Sequence, residues 1–305
     1  MTVVVVGDLV TDVLASLGGP LTTGSDTAAA IRETGGGSAA NTACWLGALT
    51  DTTLVAVVGD DAAGRARVSE LTCGNAVRFA SAAPTGTVIV LSTPDERSMV
   101  TDRGANALLT AADIDAALPG ARHLHLSGYV LFDPRTAAAG RHALARAREL
   151  GATTSVDAGS AGPLRLLGPD RFLDWVRGTD VLLANLDEAY TLVGTTPGPA
   201  SEVQPRELAE FAARPGPDEL AQRLAGYATH AVVKLGADGA VWAGPGVVRV
   251  PGEPVTAVDP TGAGDAFAAG LLAAWLAGGT PVEALAAGAA LGARAVTVVG
   301  ARPRA

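Results

Sequence analysis

The stretch Val258-Asp259-Pro260-Thr261-Gly262-Ala263-Gly264-Asp265-Ala266-Phe267 opens an Ala/Leu run that continues to Ala277. Gly262, Ala263 and Gly264 are small enough to let the backbone approach a ligand closely. Their N–H groups fall in the first turn of the helix that the run predicts, where unpaired donors and the helix dipole favour an anion. Asp265 shares that turn. Alone, an Asp there reads equally well as a helix-start residue. Beside an anion-cradling loop, it is a carboxylate placed to accept a hydroxyl proton while the loop stabilises charge on a moving phosphoryl group. Those are the needs of phosphoryl transfer to an alcohol. No G-x-x-x-x-G-K-[ST] occurs, so the loop is not of the Walker type.

A second candidate is Gly36-Gly37-Ser38-Ala39-Ala40-Asn41-Thr42-Ala43, a glycine turn running into a helix, where Asn41 either caps the helix or faces a ligand. Asp12 follows the first apolar strand and, taken alone, is a solvated turn residue. Asp157 ends another strand, and Ala158-Gly159-Ser160 leave space for it to face phosphates or a metal. Asn185-Leu186-Asp187-Glu188 sits at a strand end and reads as a helix cap or a ligand-facing pair. Lys234, the only lysine, precedes the Gly-rich turn Leu235–Gly239. His123 and His125 alternate on a strand and read as structural; the four histidines form no metal-binding pattern. Arg97 and Arg103 flank an exposed segment, either as solvated edge residues or reaching a polar substrate.

The elements that must position these residues alternate. Val3–Val6, Thr53–Val58, His123–Ser127, Thr153–Asp157, Val181–Ala184 and Ala231–Lys234 read as buried strands. Ala39–Leu49, Thr136–Leu150, Asp218–Tyr227, Gly264–Ala277 and Pro281–Val296 read as helices. This predicts an α/β fold, a mostly parallel sheet covered on both faces, in a single domain over residues 1–305. Leu9–Thr34 and Thr87–Thr101 break the alternation, the latter around Thr93-Pro94-Asp95. They read as antiparallel excursions that form a small lid over the carboxyl edge of the sheet, where ligands bind in open α/β folds. Gly194–Pro217 reads as a surface excursion.

The 305 residues are 48% hydrophobic and 17% charged, apolar enough to fold, and the net charge of −9 argues against a nucleic-acid binder. Two cysteines, Cys44 and Cys73, provide no disulfide framework; they read as small buried hydrophobes in a reducing, cytoplasmic setting. No signal peptide or membrane span is predicted.

The segment Asp259–Phe267 resembles the D-T-x-G-A-G-D-x-F signature of the ribokinase family, the PfkB-type carbohydrate kinases, with Pro260 in place of the usual Thr. Gly36–Ala43 resembles the family's G-G-x-x-x-N-x-A. Gly7-Asp8 with Asp12, Gly59-Asp60-Asp61 with Gly64, Gly104-Ala105-Asn106, Asn185 with Glu188, and Lys234–Gly239 follow in the family's order across essentially the whole chain. The resemblance implies a ribokinase-like three-layer sandwich with a β-sheet lid, and an ATP-dependent kinase acting on a primary hydroxyl of a sugar or sugar-like compound. Asp265 would be the base, with Gly262, Ala263 and Gly264 around the phosphoryl group. Asp12, Gly36, Gly37, Ser38 and Asn41 would hold the substrate. Asn185, Lys234, Gly236, Gly239 and Gly264 would face the nucleotide, mostly through backbone, with the helix near Ala286–Ala290 alongside. Glu188 would serve Mg²⁺, through water, and Asp259, Thr261, Ala295 and Gly300 a monovalent cation such as K⁺. A homodimer through the lids is expected.

Two departures bear on the substrate. Ser38-Ala39 stand where ribokinases proper carry Lys, and Gly128 stands where they carry a ribose-contacting Glu. Ribose itself is thereby in doubt, and the small Ser38 and Gly128 leave room for a base. A nucleoside kinase for adenosine, cytidine or pseudouridine is the alternative within the enzyme class, and a catalytically silent sugar-binding protein the alternative outside it. The intact G-A-G-D segment argues against the latter.

Overall fold

Four consecutive valines, Val3–Val6, are too β-branched for a helix and too apolar for a surface strand, and they form the fully buried strand β1. The computed structural model describes residues 2–93, 97–194 and 214–303. Pro94 and Asp95 of the expected turn, and residues 195–213 of the expected surface excursion, lie outside the described residues.

The remaining strands are β2 (Val10–Leu17), β3 (Ala29–Gly36), β4 (Thr52–Gly59), β5 (Gly74–Ala80), β6 (Thr87–Ser92), β7 (Arg97–Asp102), β8 (His123–Ser127), β9 (Thr153–Asp157), β10 (Thr179–Asn185), β11 (Ala228–Lys234), β12 (Ala240–Ala243) and β13 (Val247–Val250). Nine of them form one sheet in the order β13-β12-β11-β10-β9-β8-β1-β4-β5. Pairing is parallel from β5 through to β11, and β12 and β13 add an antiparallel edge.

The sheet is the middle of three layers. Val4, Val6, Val55, Leu124, Val156 and Leu182 face one side, packed by helices that include Ala137–Glu149 and Pro169–Val176. Val3, Val5, Leu54, Val181 and Val232 face the other, under the helices Ser38–Gly47, Ala263–Leu276 and Pro281–Val296. Period-two alternation on doubly covered strands separates the two cores.

A second sheet, in the order β3-β2-β6-β7, stands over the carboxyl edge of the first. Its hairpins β2–β3 and β6–β7 are antiparallel, as expected, but their junction β2–β6 is parallel. β2 and β6 are each the outgoing strand of an excursion that leaves the large sheet, so they run the same way. β3 also runs past Thr34 to Gly36, so the excursion ends in the glycine turn itself.

Candidate active site

The helix Ala263–Leu276 starts at Gly262, whose φ of 76° lies in the left-handed region. A Cβ there would also come 2.5 Å from the carbonyl oxygen of Ala301, so both conformation and close packing require glycine. The turn brings Asp265 to the wall of a cleft between the two sheets. Ser38 Oγ donates to Asp265 Oδ1 at 2.8 Å, and Asn41 Nδ2 donates to Oδ2 at 2.9 Å. The start of helix Ser38–Gly47 thus meets the start of helix Ala263–Leu276. Burial pushes the Asp265 carboxyl up to about 6, while the Asn41 and Ser38 donors hold it down. Asn41 does not cap its own helix; its side chain is spent on Asp265.

Asp12, on β2, is buried beside Gly36, where a Cβ would fall on its carboxyl group. Gly37 has φ 100° and leads into the helix. Asp8, Asp12 and Gly37 share a cavity of ≈ 390 Å³ with Asp265, whereas Gly36 is not among its lining residues and only packs against Asp12; Val10, Val88, Val90, Met99 and Tyr129 supply an apolar wall. Arg103 is neither a solvated edge residue nor free to reach substrate. Its guanidinium is 2.6 Å from Asp8 and 3.3 Å from Asp133, because it crosses inward to neutralise two buried carboxylates. The Arg97 side chain lies outside what is described. The space beside Gly128 is also closed, since the Asp157 and Ala158 carbonyl oxygens lie 2.6 Å from where its Cβ would stand. It leaves no room for a base; the apolar wall, not Gly128, gives the cavity its width.

Lys234 is more central than the sequence suggested. Its Nζ lies 2.6 Å from Asp157 Oδ2, and a Cβ on Gly264 would approach that nitrogen to 3.3 Å. Burial lowers the Lys234 pKa, but Asp157 and Glu188 outweigh it, so the ammonium persists. Asn185 caps the helix Leu186–Leu192 by accepting from Glu188 N at 2.9 Å, and Glu188 accepts from Asn185 N at 2.8 Å and Nδ2 at 2.7 Å. The two readings of this motif, cap and ligand-facing pair, coincide, because Asn185, Glu188, Asp157 and Lys234 all line the Asp265 cavity. Burial pushes Glu188 up to about 8 against the pull of Lys234.

A second cavity, ≈ 560 Å³, runs past Gly236, Ala237 and Gly239 to Phe267, Ala289, Gly292, Ala293 and Val296. It meets the helix after Pro281 at Ala289, within the expected Ala286–Ala290 span, and runs on along it to Val296. Both cavities touch Lys234, Gly236, Pro260, Ala263 and Gly264. The G-A-G turn is therefore their shared threshold.

Asp259 accepts from Thr261 N at 2.9 Å, from Thr261 Oγ1, and from Gly300 N at 3.0 Å. Val258 N and Asp259 N donate to the Val296 carbonyl at 2.7 and 3.1 Å, tying residues 258–261 to 295–300. His123 and His125 are structural. Both bond Ser155 Oγ at 2.8 Å inside the core, and burial lowers them to about 3 and about 4, leaving neutral rings. Among the described residues no group of three or more His, Cys, Asp or Glu is arranged to hold a metal ion. Sequence reading missed Tyr129 and Arg302. Arg302 bonds Asn41 and Gly36 from 261 and 266 residues away, and no motif marks it.

The two cavities meet at the first turn of the helix Ala263–Leu276, with the Asp265 carboxyl on the wall of the first. The whole chain, residues 1–305, matches the family described as pfkB family carbohydrate kinase, and it belongs to that family. It is 34% identical over 287 residues to the ATP-dependent ribose-1-phosphate kinase of Halopiger xanaduensis, spanning 89% of this chain and 83% of that one. Its fold is similar to that of the Sinorhizobium meliloti adenosine kinase, with TM-score 0.81, 24% identity and coverage of 99% and 96% of the two chains. A PfkB protein from Polaromonas aligns with TM-score 0.73 and 28% identity over 99% and 98%.

Proposed function

We propose that this kinase transfers the γ-phosphoryl group of ATP to a primary hydroxyl of a sugar or sugar-like acceptor, with Asp265 as general base. The observation that carries this reading is the meeting of the two cavities at Ala263 and Gly264, beside Asp265. The acceptor lies in the cavity of Asp12, Gly37, Ser38 and Asn41, with Gly36 packed against Asp12, and the nucleotide lies along Gly236–Gly239. The acceptor hydroxyl sits against Asp265, which takes its proton as the oxygen attacks. First-turn N–H groups and the Lys234 ammonium face the charge that develops on the phosphoryl oxygens. Asp157 and Glu188 offer hard oxygen donors at that threshold, which suits Mg²⁺ arriving with phosphate and water as its other ligands. When bound, the ion neutralises phosphate charge.

The oxygen-rich junction of Asp259, Thr261, Ala295 and Gly300 suits a monovalent cation such as K⁺, and potassium in place of choline is expected to raise kcat. Asp265→Asn keeps the side chain's shape but cannot accept the proton, so kcat should fall by about 10²–10⁴-fold with ATP binding retained. Turnover within a few-fold of the parent would remove Asp265 from the chemistry.

A nucleoside acceptor is a second reading, favoured by the apolar wall of Val10, Val88, Val90, Met99 and Tyr129, which fits a planar base. Lys234 and Arg103 already face Asp157 and Asp8, which favours a neutral acceptor over a sugar phosphate. ATP consumption with free sugars, ribose 1-phosphate and nucleosides separates these readings. We extend the proposal to a homodimer through the outer face of the small sheet.

A further inference from the structure

Arg302 lines neither cavity, yet its side chain is only 10% exposed and lies against two parts of the acceptor site. Its Nη2 donates to the Gly36 carbonyl at 2.7 Å, and its Nε donates to Asn41 Oδ1 at 3.2 Å. A guanidinium can only donate, so the atom of Asn41 that meets it must be the amide oxygen. The amide nitrogen then points the other way, to Asp265 Oδ2 at 2.9 Å. An amide turned over has the same shape, so packing alone does not choose between the two orientations. The turned amide would set its oxygen against the Asp265 carboxylate.

The tail that carries Arg302 is itself anchored. Trp45 Nε1 donates to the Ala301 carbonyl at 2.9 Å, and Gly300 N donates to Asp259 Oδ2 at 3.0 Å. The guanidinium is thus presented from a fixed backbone.

We propose that Arg302 is a positioning residue for phosphoryl transfer: it locks the Asn41 amide with its nitrogen on Asp265, and it braces the Gly36–Gly37 turn. The proposal rests on Asp265 being the general base. With Arg302 in place, Ser38 and Asn41 both donate to Asp265, which keeps it ionised and aimed. The other groups that act on Asp265, namely Asp157 on β9, Lys234 on β11 and Tyr129 after β8, are untouched by a turn of the amide.

The test is a double-mutant cycle of Arg302→Met and Asn41→Ala, with kinetics across pH and thermal unfolding of each variant. Arg302→Met should lower kcat by about tenfold, the scale of one charge-assisted hydrogen bond. The acid limb of its kcat/KM profile should move to higher pH, because Asp265 loses a donor. In the Asn41→Ala background the kcat effect of Arg302→Met should shrink to within about twofold, since the path through the amide is already gone. A rise in acceptor KM, exerted through Gly36, should persist in both backgrounds. Arg302→Lys keeps a donor-only cation and should show the same pattern at smaller size; the cycle runs on it if the Met variant does not fold. Equal kcat losses in both backgrounds, or an unmoved acid limb, would overturn the role of Arg302. Asp265→Asn separates the two readings: near-parental turnover there removes the base and the proposal with it, whereas a crippled Asp265→Asn beside an additive cycle removes Arg302 alone.

Discussion

Asp265 is held between two opposing influences. Burial favours its neutral form, and two side-chain donors favour the carboxylate. The balance near 6 leaves a base that is ionised at neutral pH yet retains proton affinity, the compromise general-base catalysis favours. Only the ionised form can accept the hydroxyl proton, so kcat/KM should rise with pH through about 6 and flatten above it. A profile flat down to pH 5 would exclude this carboxyl. Asp12 makes a separate prediction. Its buried carboxylate offers two acceptor oxygens to acceptor hydroxyls, and leaving such groups unpaired costs about 1–3 kcal/mol each. Asp12→Ala should therefore raise the acceptor KM at least tenfold while the ATP KM barely moves, and equal weakening of both would displace Asp12 from the acceptor site. Asp265 and Asn41 were legible because small residues and a helix start surround each. Lys234 was legible only as part of the glycine-rich turn, because its ion pair is with Asp157, 77 residues away, and Arg302 was not legible at all, because no local pattern encodes its contact.

At the scale of elements, what could be read was what burial makes extreme. Val3–Val6, His123–Ser127, Thr153–Asp157 and Pro281–Val296 have the bounds expected of them; a continuous apolar run marks the first and Ala-rich composition the last. β5 was missed because Gly-Asn-Ala-Val-Arg-Phe-Ala is an edge strand, largely exposed and with no clean alternation. The β12–β13 hairpin was missed because it breaks the βα rhythm on which the reading rested. The small sheet was foreseen as an excursion, but pairing between excursions is non-local, and its parallel β2–β6 junction had no local signal. That junction matters for closure. Asp12, Val88 and Val90 line the Asp265 cavity from adjacent β2 and β6, so the sheet walls that cavity as a unit. Acceptor binding should slow amide hydrogen exchange in Val10–Leu17 and Thr87–Ser92 more than in the core strands β1 and β8. Protection confined to Gly236 and Gly262–Asp265 would mean that the small sheet is a static wall rather than a lid.

For the whole molecule, the small sheet poses a problem of burial. One face looks into the cleft through Asp12, Val88 and Val90. On the other face Ile89 stands opposite Val13 and Val100, and Ile31 opposite Ala15. Ile31, Ile89 and Val100 are 68%, 42% and 59% exposed, an apolar cluster left open on a four-stranded sheet. An exposed apolar patch of this kind suits the proposed dimer contact. A second copy of the same sheet would cover it in a closed, two-fold arrangement, and the isologous contact would place Ile89 near the middle of both surfaces. The chain should then behave as a species of twice its 30.3 kDa mass in light scattering at micromolar concentration. Ile89→Glu would bury a carboxylate in that contact without a partner, at several kcal/mol across the two copies, and should leave a folded monomer. Its thermal midpoint should fall only by what the dimer contact contributed and should no longer depend on protein concentration, because Ile89 contributes little to the core of one chain. Its acceptor KM should rise, because an unsupported sheet closes less well over the cleft. A parental monomer, or an Ile89→Glu dimer, would show that something other than a second small sheet covers this face.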